Sequence, residues 1–535
     1  MSSRIDPTAS PSPDPSLDHP LDTALDPSLV IPARVAHWAS VEPDRAFLVE
    51  VGGRSLTFGQ AFDEVRRWAT YLRALGVQPG DRVASFLPAS VDAQLVWLAC
   101  GCIGAWEVPV NPELRGEMLR HVLTDSAPVV CLARDDNAHV PQESGVDVRV
   151  VAVPRDGSLV RDVTPAVFER LPQPDDVSCV IYTSGTTGPS KGAVIRWAQF
   201  GGILGRVPRH WYGSNDGVYA PLPMFHVTGR TPTLSMADAG GRVVLRERFS
   251  VTDFWDDVRN FNCTSTTVSS AALLMAQPPR HDDADNPMRF AMFGVTGRLA
   301  LAFGERFDVQ VVSNYGSTEI GFPITNRNCN ADNAHLAGWL RPGYEARVVD
   351  TEGSLVPFGQ VGELHIKPPD RLMMTAGYLN RPDATASAIV DGWYRTGDAV
   401  MMFADGSVQF VDRIKDTIRR FGENISSAQL ETVINTDPEV VECAVLGIAS
   451  DVAGHEVLLV VRPVSVEGFS AQTLYERLRE TLPRHCLPAF ISTRTDEFPK
   501  TPNGKIRKVA LDGERDRVAA GHTWVSPSAV ASRSR

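Results

Sequence analysis

Tyr182–Gly192 reads YTSGTTGPSKG, and it follows an apolar lead-in, Val180 and Ile181, that has the character of the end of a buried strand. Gly185 and Gly188 let backbone N–H groups approach an anion closely and adopt positive φ where the turn needs it. Thr183, Ser184, Thr186 and Thr187 add hydroxyl donors, and Lys191 adds a full positive charge suited to phosphate oxygens. The stretch is read as a nucleotide-phosphate loop, with a Gly/Ser/Thr-rich surface turn as the alternative. It is not a Walker A motif, because the glycine required five positions after Gly185 is replaced by Ser190. P-loop kinases and GTPases are therefore excluded.

The chain has 535 residues, too many for one ordinary core, so at least two domains are expected. Its 43% hydrophobic and 22% charged content is that of a soluble globular protein. The net charge of −12 argues against a nucleic-acid partner, which needs a basic footprint. The longest apolar stretch, Leu95–Trp106, is broken by Gly101 and Gly104 and falls short of the ~20 residues of a membrane span. Residues 1–27 are rich in Pro, Ser and Asp and carry no secretory h-region, so a disordered tail is expected there. The 8 cysteines are scattered with no CxxC spacing and read as buried thiols in a reducing cytosol; Cys100 and Cys102 as half a metal site is the weaker alternative. The expected location is cytoplasmic.

Arg82–Leu87 reads as a strand, Ser90–Cys102 as an apolar helix, Trp106–Val110 as a strand, Arg115–Asp125 as a helix and Pro128–Ala133 as a strand. This alternation predicts an α/β fold with parallel-rich sheets sandwiched by helices, continuing to about Asp412. Beyond Lys415 the apolar runs shorten. Helices are expected over Ser427–Thr436 and Ala471–Thr481, and strands over Val440–Ile448, Glu456–Pro463 and Ala489–Thr493, giving a small α+β domain. The expected organisation is a tail over 1–27, a large domain over 28–414, a small mobile domain over 415–513 and a fraying tail over 514–535.

Further motifs follow the loop in order: Pro221–Gly229 (PLPMFHVTG), Asn314–Glu319 (NYGSTE), Tyr394–Asp398 (YRTGD), Val411–Asp416 (VDRIKD), Gly422–Ser426 (GENIS) and Pro499–Lys508 (PKTPNGKIRK). With these spacings, from about Val30 to Leu511, the chain resembles the adenylate-forming superfamily of acyl-CoA synthetases, luciferases and peptide-synthetase adenylation domains. VDRIKD, GENIS and the AQPPRHDDAD stretch from Ala276 are most similar to its crotonobetaine/carnitine-CoA ligase branch.

That resemblance implies attack of a carboxylate on the α-phosphate of ATP, giving an acyl-adenylate and pyrophosphate, and then transfer to the thiol of CoA. It implies phosphate contacts from Thr183, Ser184, Gly185, Thr186, Thr187 and Lys191, and a Mg²⁺ held by Glu319 and Thr186 with Thr318 assisting at the phosphate. Lys505 would bridge the attacking carboxylate and the α-phosphate. Asp398 and Arg413 would bind the ribose, and Tyr315 would pack on adenine. Lys415 matches the hinge, and Gly422–Ser426 the channel for the incoming thiol. His226 matches an aromatic or histidine gate over the acyl pocket, where amino-acid-activating relatives carry an Asp nearby; a core histidine is the other reading. The implied partners are a small-molecule acid and CoA, and the oligomeric state is not given.

Three departures from the pattern stand out. Pro189-Ser190 precedes Lys191 where Pro alone is commoner, Asp412 replaces a Gly before Arg413, and the adenine segment reads FGVTGRL over Phe293–Leu299. Alternatives to the CoA ligase are an adenylate-forming enzyme with another acceptor (carrier-protein loading, amide formation, or nitrite activation for diazotisation of an arylamine) and a non-catalytic nucleotide-binding relic.

Overall fold

The structure is a computed structural model, and it describes residues 30–183, 190–268, 271–294, 297–413, 418–420, 423–425, 427–450, 454–482, 486–500, 506–521 and 523–526. Two sheets make up the large domain. In the first, strands run in the order Arg149–Val153, Val130–Arg134, Arg82–Phe86, Trp106–Pro109, Val177–Thr183 and Lys191–Arg196. The first five are parallel and the last turns back antiparallel. Between them the helices Val91–Cys102 and Gly116–Ser126 cross over, so the alternation expected over 82–134 is the one observed, to within a residue or two. Every residue of Val91–Cys102 is buried, as its near-continuous apolar character requires.

The second sheet joins six parallel strands, Gln310–Ser317, Phe290–Phe293, Ser265–Thr267, Gly217–Ala220, Arg242–Leu245 and Ala46–Glu50. From Gly321–Asn326 onward it is antiparallel, through Gly338–Leu340, Ser407–Arg413, Trp393–Met402, Val361–Lys367 and Glu345–Val349. The α/β expectation to Asp412 therefore needs correcting from about Gly321. Most connections beyond that point are short, as antiparallel neighbours permit; the longest, residues 368–392, carries the helix Pro382–Ala388 and still returns antiparallel.

A buried ion pair bridges the two sheets. Arg230, on the helix Val227–Ala239, lies 2.6 Å from Glu107 on Trp106–Pro109, and both side chains are essentially inaccessible. The Arg230 Nε donates to the Met224 carbonyl at 2.8 Å, its guanidinium stacks 4.5 Å from the Trp97 ring, and the Ser85 hydroxyl donates to Glu107. Burial pushes the Glu107 carboxyl up, and Arg230 opposes that shift.

The small domain has the helices Ser427–Ile434 and Ala471–Thr481 and the strands Val440–Ser450, Gly454–Pro463 and Phe490–Thr493, matching the elements expected from sequence. Of the tail expected to fray from Gly513, the described residues, 513–521 and 523–526, are ordered, and residues 527–535 lie outside the described residues. Asp512–Ala519 is helical, and Trp524–Val525 adds an antiparallel strand to Phe490–Thr493. Trp524 packs 5.0 Å from the Tyr475 ring, and buried Glu514 accepts from Ser492 Oγ at 2.6 Å. One aromatic anchor and one satisfied carboxylate hold a segment whose composition is otherwise polar. No helix among the described residues is long and apolar enough to cross a membrane. Cys100 and Cys102 are buried thiols outside any metal-binding group among the described residues.

Removing one partner of the bridging pair leaves a buried charge uncompensated. Arg230→Ala is expected to destabilise the protein by about 3–5 kcal/mol, and Arg230→Met combined with Glu107→Gln to recover most of that loss. Urea denaturation measures both; a loss below about 1 kcal/mol in the single variant would show that Glu107 does not depend on Arg230.

Candidate active site

The two ends of the Tyr182–Gly192 stretch pair as a hairpin. Thr183 pairs with Lys191 and Tyr182 with Gly192, so the strand ends fix the two ends of the loop. Ser184, Gly185, Thr186 and Thr187 lie outside the described residues. Gly192 is required by a close approach: a Cβ there would sit 2.7 Å from Val180 Cγ1 and 3.1 Å from Tyr182 Cζ. The hairpin ends are held from outside by Gly116–Ser126 and its neighbours. Tyr182 Oη donates to Asp125 Oδ2 at 2.8 Å, Arg381 pairs with the same Asp125 at 3.1 Å, and the His121 ring nitrogen bonds the Ser190 carbonyl at 2.8 Å.

The segment Thr375–Leu379, which the sequence reading did not single out, ties the hairpin to the NYGSTE motif. On one side Ala376 N donates to Val194 O, Val194 N to Gly377 O and Leu379 N to Gly192 O, at 2.8–2.9 Å. On the other, Thr375 N donates to Glu319 O at 2.7 Å. Tyr378 then stands between the two charged groups. Its hydroxyl donates to Glu319 Oε1 at 2.8 Å, and Lys191 Nζ lies 5.3 Å from the centre of its ring. The only sequence signal was a Gly-Tyr pair in a short loop ahead of Pro382, which is too common to stand alone.

Glu319 is 7% exposed. Thr318 is fixed through its carbonyl, which accepts from Gln199 Nε2 at 2.7 Å. The motif glycine Gly316 cannot carry a side chain, because its Cβ would fall 1.7 Å from Gly321 O. Tyr394, the first residue of YRTGD, is buried close to both Glu319 and Tyr378, and burial raises its phenol well above the ordinary value with Glu319 adding to the shift. Three of the sequence motifs thus meet around one tyrosine.

Asp398 closes the site from the antiparallel half of the second sheet. It is buried, accepts from Tyr315 Oη at 2.6 Å, and faces Arg413 across the strand pair. Arg413 is placed by its backbone alone, and Lys415, Gly422 and Lys505 lie outside the described residues.

His226 precedes the helix Val227–Ala239, with its ring 4.6 Å from that of Phe225. Its Nε2 is buried and has no hydrogen-bond partner among the described residues. Burial pulls the imidazole down from 6.5 to about 4, so it is neutral at pH 7. A neutral ring suits a wall or gate and not a proton donor. The neighbouring Gly229 is also a close approach, since a Cβ would meet Pro223 O at 2.1 Å.

Two predictions arise here. Tyr378→Phe keeps the ring beside Lys191 but removes a hydrogen bond to a carboxylate worth about 1.5–3 kcal/mol; calorimetric titration with Mg-ATP is expected to show roughly tenfold or greater weakening, and equal affinity would contradict the assignment. For His226, the unfolded chain takes up a proton near 6.5 that the folded protein refuses until about 4. Its contribution to stability is therefore present above 6.5 and is lost as the pH falls towards 4. An NMR titration of this imidazole is expected to give a midpoint near 4, whereas one near 6.5 would place the ring in water.

Comparison with known proteins brings the two domains together. The model of the AMP-binding enzyme family matches residues 35–379, and that of the AMP-binding enzyme C-terminal domain matches 429–505. A crotonobetaine/carnitine–CoA ligase from Salmonella paratyphi B is 29% identical over 493 residues, covering 86% of this chain and 93% of its own. A sulfoacetate–CoA ligase from Cupriavidus necator is 29% identical over 502 residues, covering 90% and 96%. In fold, the chain is similar to ATP-bound MatB from Rhodopseudomonas palustris, with a TM-score of 0.81 at 24% identity over 91% of this chain and 99% of that one. It is also similar to a benzoate CoA ligase from Burkholderia xenovorans, with a TM-score of 0.79 at 22% identity over 90% and 99%. The first family model alone spans more than half of the sequence and contains the hairpin, the NYGSTE motif and the Tyr378 segment, and the chain therefore belongs to the AMP-binding enzyme family.

Proposed function

We propose that the protein is an ATP- and Mg²⁺-dependent acid–CoA ligase. A carboxylate oxygen of the acid attacks the α-phosphorus of ATP and pyrophosphate leaves; the CoA thiolate then attacks the acyl carbon and AMP leaves. The observation that carries this reading is the placing of Lys191 and Glu319 on either side of Tyr378 in a chain similar over most of its length to CoA ligases.

In this reading Lys191 and the donors of Thr183, Ser184, Gly185, Thr186 and Thr187 hold the β- and γ-phosphates. Glu319 fits a Mg²⁺ site by its chemistry: it is a buried hard-oxygen ligand steadied through Oε1 by Tyr378, and a single carboxylate suits a cation that keeps phosphate oxygens and waters as its other ligands. Thr186 is the second protein oxygen proposed there. When bound, the ion supplies neutralisation of charge on the departing pyrophosphate. Asp398, oriented by Tyr315, takes the ribose hydroxyls together with Arg413. His226 stands as a neutral wall of the acid site, and Thr318 presents the turn on which Glu319 sits.

The small domain, from Lys415 to about residue 513 and extended by the 512–526 segment, is proposed to move as a unit about Lys415. One orientation presents Lys505 to the reacting carboxylate and the other presents Gly422–Ser426 to the thiol.

Pyrophosphate release across a panel of carboxylic acids, with and without CoA, tests the reading. One class of acid is expected to give pyrophosphate and AMP in equal amounts, with CoA raising turnover; turnover that CoA never stimulates would remove the ligase half. Lys505→Ala is expected to lower pyrophosphate release by ~10²–10³-fold while sparing thioester formation from supplied acyl-adenylate. Unimpaired pyrophosphate release in this variant would take Lys505 out of the first step.

A further inference from the structure

Two buried arginines are paired with acids: Arg230 with Glu107 and Arg420 with Glu456. Arg206 and Arg341 differ from these two: among the described residues neither is ion-paired with a carboxylate, although they are 2% and 3% exposed. Arg206 Nε meets Met292 Sδ at 3.2 Å and its Nη2 meets Ser235 Oγ at 3.4 Å, while Nη1 is buried with no hydrogen-bond partner. Arg341 Nη1 donates to Phe322 O at 2.9 Å. A third buried arginine, Arg327, donates to Gly205 O at 3.0 Å. The three are close enough that Arg206 and Arg327 add to the effect of burial in pulling Arg341 down to about 10. The carbonyl, thioether and hydroxyl around Arg206 and Arg341 do not neutralise their guanidinium groups, and a charge held this way out of water is costly unless an anion meets it.

The position of the cluster says which anion. Arg206 follows the helix Trp197–Leu204, whose Gln199 bonds the Thr318 carbonyl and whose Ile203 flanks Gly321. Ser235 lies on the helix that begins after His226. Met292 is the residue before the Phe293–Leu299 segment, and Phe322 is three residues past Glu319. Four elements thus run from residues around the reacting end of the acid site to Arg206 and its neighbours. Seven residues separate Gln199 from Arg206, about 10 Å at a helical rise.

Resting on the ligase reading, we infer that Arg206, backed by Arg327 and Arg341, receives a second anionic group at the far end of the substrate, so that the acid activated is a dianion such as a dicarboxylate or a sulfocarboxylate. The distal group cannot be activated in its place, because it is held away from Lys191 and Glu319. A neutral acid of the same length would leave the guanidinium uncompensated, which makes the cluster a device for rejecting monoacids as well as binding diacids.

The test uses the full-length protein and Arg206→Met. Pyrophosphate release is compared for matched pairs, glutarate against valerate, adipate against hexanoate and 3-sulfopropanoate against butyrate, and the melting temperature is followed with glutarate and with inorganic sulfate at constant ionic strength. Wild type is expected to favour the dianion of at least one pair by about tenfold or more in kcat/KM, and Arg206→Met to lose that preference. Preference of the wild type for monoacids, or an unchanged preference in the variant, overturns the inference while leaving adenylation intact. If no acid of the panel releases pyrophosphate, the ligase reading fails, and the melting data still decide the anion site. A glutarate-dependent rise seen only in wild type supports it, and the same rise in both proteins overturns it. A rise with sulfate equal to that with glutarate, without any acid preference, identifies a resident counter-ion and overturns the substrate assignment. Should Arg206→Met fail to fold, the matched-pair preference of the wild type and Arg341→Met decide in the same way.

Discussion

Thr375 is the joint on which the site depends. Its side chain is fully buried, its amide donates to Glu319 O at 2.7 Å, and its hydroxyl donates towards Val194 O at 3.0 Å while accepting from Gly377 N at 3.1 Å. Val194 belongs to the six-stranded sheet and Glu319 to the turn at the end of the larger one, so one residue couples the two sheets. Three residues later Tyr378 falls between Lys191 and Glu319. The reaction joins two anions, and it gains most from charges fixed before the ligands arrive, since no reorganisation is then needed at the moment of reaction. The hydrogen bonds of residues 375–379 supply that fixing.

Beneath this joint, charge burial is used in two opposite ways. Glu107 and Arg230 satisfy one another across the sheet interface, with Trp97 and Ser85 completing the surroundings. Such a pair adds little net stability, because two desolvation costs offset the attraction, yet loss of either partner is costly. Arg206 and Arg341 are desolvated without an acid, and burial lowers both. The difference separates a structural pair from a site prepared for a ligand. His226 follows the same logic in reverse: burial keeps it neutral, so the wall proposed for the acid site carries no cation at that position.

Much of this was legible in the residues. From Arg82 to Ala133 the apolar runs and their breaks recur at strand and helix lengths, and each element is present within a residue or two, because fully buried parallel strands and their crossover helices leave little freedom in where apolar residues stop. The antiparallel half of the large sheet was less visible. Its strands are interrupted by glycines and charged residues and joined by Gly-containing turns, a pattern shared with loops. Trp524 was overlooked for a related reason: composition averages over a segment, whereas one aromatic side chain meeting Tyr475 suffices to anchor an edge strand. At the candidate site, Lys191, Tyr315, Glu319 and Asp398 were marked by motifs, but Tyr378 reaches Lys191 and Glu319 only by tertiary approach. The arginine cluster has no signature at all, since Arg206, Arg327 and Arg341 become neighbours only when three separate strand and helix ends converge.

The account stands or falls on activation of a carboxylate at the α-phosphate of ATP. The direct measurement is to supply an acid that turns over with both carboxylate oxygens of its reacting group labelled with ¹⁸O, and to locate the label by mass spectrometry after one turnover. The account predicts one ¹⁸O in the phosphate of AMP and none in pyrophosphate. Label in orthophosphate, with ADP as the nucleotide product, would place the attack at the γ-phosphorus and contradict it.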